Sequence, residues 1–132
     1  MNISKFTQKS LQAVNHLEKI AYEYGNQEIE QEHLLYSLLT IDDSLILKLV
    51  EKMEIHKEHF VNRVEQALRQ RTKVQGGQVY IGQYLNKVLI GAEDEAKQLG
   101  DEYVSVEHLF LWRVGSWRFL LAAGKIPFSD GS

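Results

Sequence analysis

Few side chains in this 132-residue sequence have the chemistry to bind or transfer a group, and the most suggestive set is written twice. Glu32-His33-Leu34 and Glu107-His108-Leu109 lie 75 positions apart (33 to 108), each with a β-branched residue, Ile29 or Val104, three places before its glutamate. An imidazole can serve as a general base or a metal ligand. Two histidines at matched places early in two helices, however, read first as packing and hydrogen-bonding residues that fix the preceding turn. His56 and His59 share a helix face and are spaced for joint metal binding, but neither an H-E-x-x-H pattern nor a third ligand accompanies them. The sequence has no cysteine, which removes disulfides, cysteine-based zinc sites and thiol nucleophiles together. It also has no G-x-S-x-G elbow and no G-x-x-x-x-G-K-[ST] phosphate loop, so an enzyme is not expected.

The echo extends outward at the same offset: Glu18 with Glu93, Ala21 with Ala96, and Gly25 with Gly100. An internal repeat at such a spacing governs the fold. A formal charge of -3 denies the chain the diffuse positive field that phosphate-backbone binding relies on, so nucleic acid is not an expected partner. No apolar run approaches the roughly 20 residues of a membrane span, and the polar start, Met1 to Lys9, does not read as an export signal. These features point to a cytoplasmic protein.

The elements that must position the doubled motif are helical. Leu11, Val14, Leu17, Ala21 and Tyr24 recur every three or four residues, which predicts one helix over residues 8–24, capped by Thr7 and ended by Gly25. His33 to Leu39, nearly continuous in apolar residues, predicts a helix buried on more than one side. A break at Asp42-Asp43-Ser44 separates it from a third helix around Leu45 to Met53, and a fourth covers Phe60 to Leu68. Gln70 to Gly82 is polar and reads as an ordered loop, with Val79, Tyr80 and Ile81 assigned to that loop rather than to a paired strand. Leu85, Val88, Leu89, Ala92, Ala96 and Leu99 restart the helical period, Gly100 closes it, and Ser105 caps the next helix. Beyond Leu111 the copy decays. Leu120, Leu121 and Ile126 stand for Leu49, Val50 and Ile55 only across a shortened loop, and no counterpart of the fourth helix remains. The expected fold is all-α: one domain over 1–132, with two pseudo-symmetric repeats of about four helices each at 3–70 and 83–127, a connector at 71–82, and the second repeat truncated.

Through FTQKSLQAV, GNQEIEQEHLLYSLL, VQGGQVYIGQYLN and AKQLGDEYVSVEHLFL, the chain resembles the N-terminal domain of the Clp ATPases. The connector and the GDEYVSVEHL segment look most like the ClpB disaggregase branch. The resemblance implies a substrate-recognition module at the front of a hexameric AAA+ unfoldase. It would hold unfolded or aggregated proteins and meet adaptor proteins, bind no cofactor itself, be monomeric in isolation, and leave ATP to modules outside this sequence. Carried over by motif, the ClpB-type groove residues fall on Thr7, Asp101 and Glu107. The protease-linked ClpC branch instead places cationic, arginine-derived groups on Glu32 and Glu107, which would make the chain a phosphoarginine or adaptor receptor. A free-standing helical regulator is a third reading.

Each of these residues also has a plainer role. Glu32 and Glu107 suit the first turn of a helix, where carboxylates complement the dipole. Thr7 is a cap in any reading, and Asp101 after a helix-ending glycine suits a turn.

Overall fold

The computed structural model describes residues 3–111. A 3-10 turn, Ile3–Lys5, leads into α1 (Gln8–Asn15) and α2 (Leu17–Glu23). β1 (Glu28–Ile29), α3 (Gln31–Thr40), α4 (Leu45–Lys52) and α5 (Lys57–Arg69) complete the first repeat. After the connector come β2 (Tyr80–Ile81), α6 (Gln83–Gln98) and α7 (Val106–Leu111). The fold is all-α, as expected. The residues expected to stand for Leu49, Val50 and Ile55 in the second repeat lie outside the described residues.

α3 is the central element. Eight of its ten residues are buried, and it touches α1, α2, α4, α5, α6 and α7. A helix surrounded in this way needs apolar residues on most sides, which accounts for the nearly continuous run where other helices show a stripe. Leu34, Leu35, Leu38 and Leu39 meet Leu17, Leu85, Leu89 and Leu109 in one core. Fully burying each such leucine stabilises the fold by about 2 kcal/mol.

Two expectations need correction. Residues 8–24 do not form one helix, because the run breaks at His16 into α1 and α2. The buried Ser37 hydroxyl donates to the Ala13 carbonyl at 2.6 Å and so takes the acceptor that the Leu17 N–H would use in a continuous helix. Position 112, the equivalent of Ser37 in the second repeat, carries Trp instead of a hydroxyl residue, and α6 runs uninterrupted. The second correction concerns Tyr80 and Ile81, which do pair, in parallel with Glu28 and Ile29.

That pairing has a counterpart in the isolated parallel bridge between Phe6 and Val104. Shifted by 75, Ile29 becomes Val104 and Phe6 becomes Ile81, so the two contacts are one contact made twice. The Thr7 N–H donates to the Val104 carbonyl at 3.0 Å, and the Gly82 N–H donates to the Ile29 carbonyl at 2.8 Å. In each case the segment before the first helix of one repeat pairs with the segment before the Glu-His-Leu helix of the other. The repeats are thus tied by a reciprocal exchange.

The connector is held at its start. Arg71 bonds to Glu32 and Glu28, the Lys73 ammonium donates to the Tyr24 carbonyl at 2.8 Å, and the Val74 N–H donates to the Gly25 carbonyl at 2.8 Å. Lys73 therefore places a cation on the C-terminal end of α2, where the helix dipole favours it.

Candidate functional site

The doubled motif forms the same turn twice. Gly25 and Gly100 adopt left-handed φ values of 71° and 77°, at little cost for glycine. The next amide, of Asn26 or Asp101, donates back to the Ala21 or Ala96 carbonyl at 2.8 Å. The histidine then locks the chain on both sides. His33 Nδ1 accepts from the Glu30 N–H at 2.9 Å, and His108 Nδ1 accepts from the Ser105 N–H at 2.9 Å. Since Nδ1 accepts, the neutral ring carries its proton on Nε2. That proton is directed to Asn26 Oδ1 at 3.0 Å in the first repeat and to Asp101 Oδ2 at 2.9 Å in the second. Asn26 and Asp101 are themselves 75 positions apart, so the whole device is duplicated. Burial, followed by the nearby charge of Arg71, lowers the His33 pKa to about 4.

The four candidate residues do not converge on one place. Thr7 and Glu107 line a common groove of about 550 Å³, with Leu38, Ile41, Leu45, Ile46 and Val106 supplying apolar walls. Thr7 faces this groove while capping α1, its Oγ1 accepting from the Ser10 N–H at 3.2 Å and donating to Ser10 Oγ at 3.0 Å. Ser10, fully buried, donates to the Val104 carbonyl at 2.6 Å and so fixes the segment that leads to Glu107.

The charges around the groove are unequal. The Lys9 ammonium donates to the Asp42 carbonyl at 2.9 Å, and Lys48 is paired with Asp43 at 2.8 Å. Glu107 is exposed and forms no ion pair among the described residues. Asp101 is absent from the groove lining, and its half-exposed carboxylate is held on His108. Glu32 lies in a separate, polar pocket of about 540 Å³, its side chain only 8% exposed and bonded to Arg71 at 2.7 Å.

Sequence reasoning missed three contributors. Arg71 gave no signal because its partner is far away in the chain. Ser10 looked like an ordinary helix residue. Glu30 caps the other repeat, accepting from the Leu85 N–H at 3.0 Å, because Gly82 stands where Thr7 stands in the first copy and has no side chain to do so. A Cβ at Gly82 would collide with the Glu30 carboxylate, so glycine there makes room for the substitute cap. Burial raises the Glu30 pKa, with Glu28 adding to the shift and the Leu85 N–H opposing it. His56, considered as a metal ligand, uses Nδ1 to accept from the His59 N–H at 3.2 Å and caps α5.

Reciprocally tied helical repeats with a duplicated glycine-to-histidine turn define a duplicated, all-helical domain. The chain belongs to the Clp repeat (R) N-terminal domain family, whose model matches residues 5–113. Chaperone protein ClpB of Nitratidesulfovibrio vulgaris is 42% identical over 115 residues, covering 83% of this chain and 13% of that protein. Chaperone protein ClpB of Porphyromonas gingivalis is 35% identical over 111 residues, covering 84% of this chain and 13% of the relative. The chain thus spans about an eighth of the length of these relatives, 13% in each. In fold it resembles the Hsp104 N-terminal domain from Candida albicans, with a TM-score of 0.76 at 20% identity over 91% of this chain and 82% of that one. Among the described residues no helix is long and apolar enough to cross a membrane.

Proposed function

We propose that this chain is the client-recognition domain of a ClpB-type AAA+ disaggregase. It would bind exposed apolar segments of unfolded or aggregated polypeptides in the cytoplasm and pass them to an ATPase ring built by the rest of a longer, hexameric protein. ATP belongs to that ring in this reading, and adaptor proteins would meet the same domain. The observation that carries the proposal is the groove in which Thr7 and Glu107 stand over Leu38, Ile41, Leu45, Ile46 and Val106. Apolar walls supply affinity without regard to sequence, while one open carboxylate favours segments with a basic flank. Such binding is weak and tolerant, as a protein with many clients requires.

The test compares binding of a permanently unfolded model protein to the wild-type chain, Thr7→Ala and Glu107→Ala by fluorescence anisotropy. Weaker binding by Glu107→Ala supports the groove, and equal binding by all three removes it. A phosphoarginine receptor of the ClpC kind would need Glu32 and Glu107 to be equally available. The ion pair on Glu32 favours the one-sided reading instead.

A further inference from the structure

The two motif histidines share a backbone setting and differ in what a second proton would meet. In the first repeat a polar relay runs from the connector to the start of α6. The Thr72 carbonyl can only accept, so it orients the Asn26 amide, whose Nδ2 donates to it at 3.3 Å. Asn26 Oδ1 then takes the His33 Nε2 proton at 3.0 Å, and the bare Nδ1 takes the Glu30 N–H at 2.9 Å. From Glu30 the carboxylate accepts the Leu85 N–H at 3.0 Å, beside the bond from the Gly82 N–H to the Ile29 carbonyl. His33 is fully buried. A proton on its Nδ1 sets two N–H donors against each other, and the bond to Glu30 must break.

The charged groups at this turn are Arg71 on the connector, Glu28 on β1, and Glu30 and Glu32 at the start of α3. Arg71 bonds to Glu28 and Glu32 and opposes a positive ring. One turn along α3, Tyr36 donates to Glu65 of α5, which also accepts from Tyr24 at the end of α2. His108 meets a proton differently. Its Nε2 faces the Asp101 carboxylate at 2.9 Å, where the first repeat has the neutral Asn26. Its Nδ1 lies 2.9 Å from the Ser105 hydroxyl oxygen, which can accept, so a doubly protonated ring keeps a partner on each nitrogen.

We propose that His33 is an acid-sensitive latch on one of the two ties between the repeats: a second proton on its ring releases the Ile29 to Gly82 and Glu30 to Leu85 contacts, while the tie between Phe6 and Val104 holds. The domain then opens on one side and stays joined on the other. The folded ring has a pKa of about 4 against the ordinary 6.5, so the closed form loses ground as pH falls through that interval. Glu30 works the other way, since a carboxyl whose pKa is raised in the folded state protonates without favouring release, and its carbonyl oxygen can still accept from Leu85. The latch is independent of what the groove binds.

Amide hydrogen exchange of the isotopically labelled chain, followed by NMR at about pH 7 and about pH 4.5 and expressed as protection factors, tests the latch. Between the two, protection at Gly82 and Leu85 should fall by about 50-fold. At the lower pH it should lie at least about tenfold below that of Thr7 and Val104, whose amides belong to the other tie. The fall should vanish in His33→Gln and persist in Glu30→Gln, whose amide oxygen still accepts from Leu85. Protection that stays equal at the two ties signals unfolding of the whole domain and overturns the proposal, as does a fall abolished by Glu30→Gln. If His33→Gln does not fold, the ring nitrogen shifts of wild-type His33 decide: protonation of Nδ1 must track the loss of protection at Gly82, and a ring that stays neutral while protection falls overturns the latch.

Discussion

The two Glu-His-Leu turns share a backbone and differ in electrostatic state. In the first repeat Glu32 is buried and bonded to Arg71, whereas in the second Glu107 is exposed at the edge of an apolar groove. The histidine, the helix-ending glycine and the residue after it do the same work in both. What separates the copies lies outside the motif. α5 and the connector deliver a guanidinium to Glu32, and no described residue delivers one to Glu107. The two copies thus share the scaffold of the turn, and among the described residues the surrounding chain pairs Glu32 with a cation and leaves Glu107 exposed.

The largest effect expected from breaking this contrast is on Arg71. Arg71→Ala strands a buried carboxylate and should destabilise the chain by about 3 kcal/mol or more in urea unfolding, whereas Glu107→Ala should change stability by less than about 0.5 kcal/mol. Similar losses for the two variants would erase the distinction.

Acid should act on the first turn through His33. Its folded-state pKa of about 4 lies below the ordinary value of 6.5, so between these values the unfolded chain binds the proton and the folded one does not. The contribution of His33 is complete above pH 6.5 and declines as pH falls toward 4, by up to about 3 kcal/mol. Stability measured from pH 7.5 to 4 in the wild type and in His33→Gln checks this, since the variant should show a shallower decline. Identical pH profiles would contradict it.

A smaller effect is expected where the copies differ at the start of their first helix. Gly82→Thr would make the second repeat match Thr7 and supply a favoured capping residue, yet its Cβ would meet the Glu30 carboxylate. The substitution should cost about 1–2 kcal/mol in spite of the better cap. A more stable variant would show that Glu30 is dispensable there.

Most of the scaffold was legible because its signals are local. The helical period placed α3 to α6, the glycines marked both left-handed turns, and the matched histidines were read as turn-fixing residues, which is how His33 and His108 act. The departures have non-local causes. The break at His16 traces to a hydroxyl from α3, and the β1–β2 pair is two residues long, too short to carry a strand period. The site was legible in part: Thr7 and Glu107 share a groove, while Asp101 is held by His108 and Glu32 by Arg71. Nothing in a sequence read one residue at a time shows that Arg71 in a polar connector reaches back to Glu32. The Asn26 and Asp101 equivalence, by contrast, could have been found with the same offset that revealed the histidines.

In the proposed reading only one of the two motif glutamates, Glu107, is open to a ligand. Binding of an unfolded client with basic flanks to the wild type, Glu107→Gln and Glu32→Gln, at a temperature where all three are folded, tests it most directly. Affinity should fall for Glu107→Gln and hold for Glu32→Gln. An equal fall for both, or a fall for Glu32→Gln alone, would contradict it.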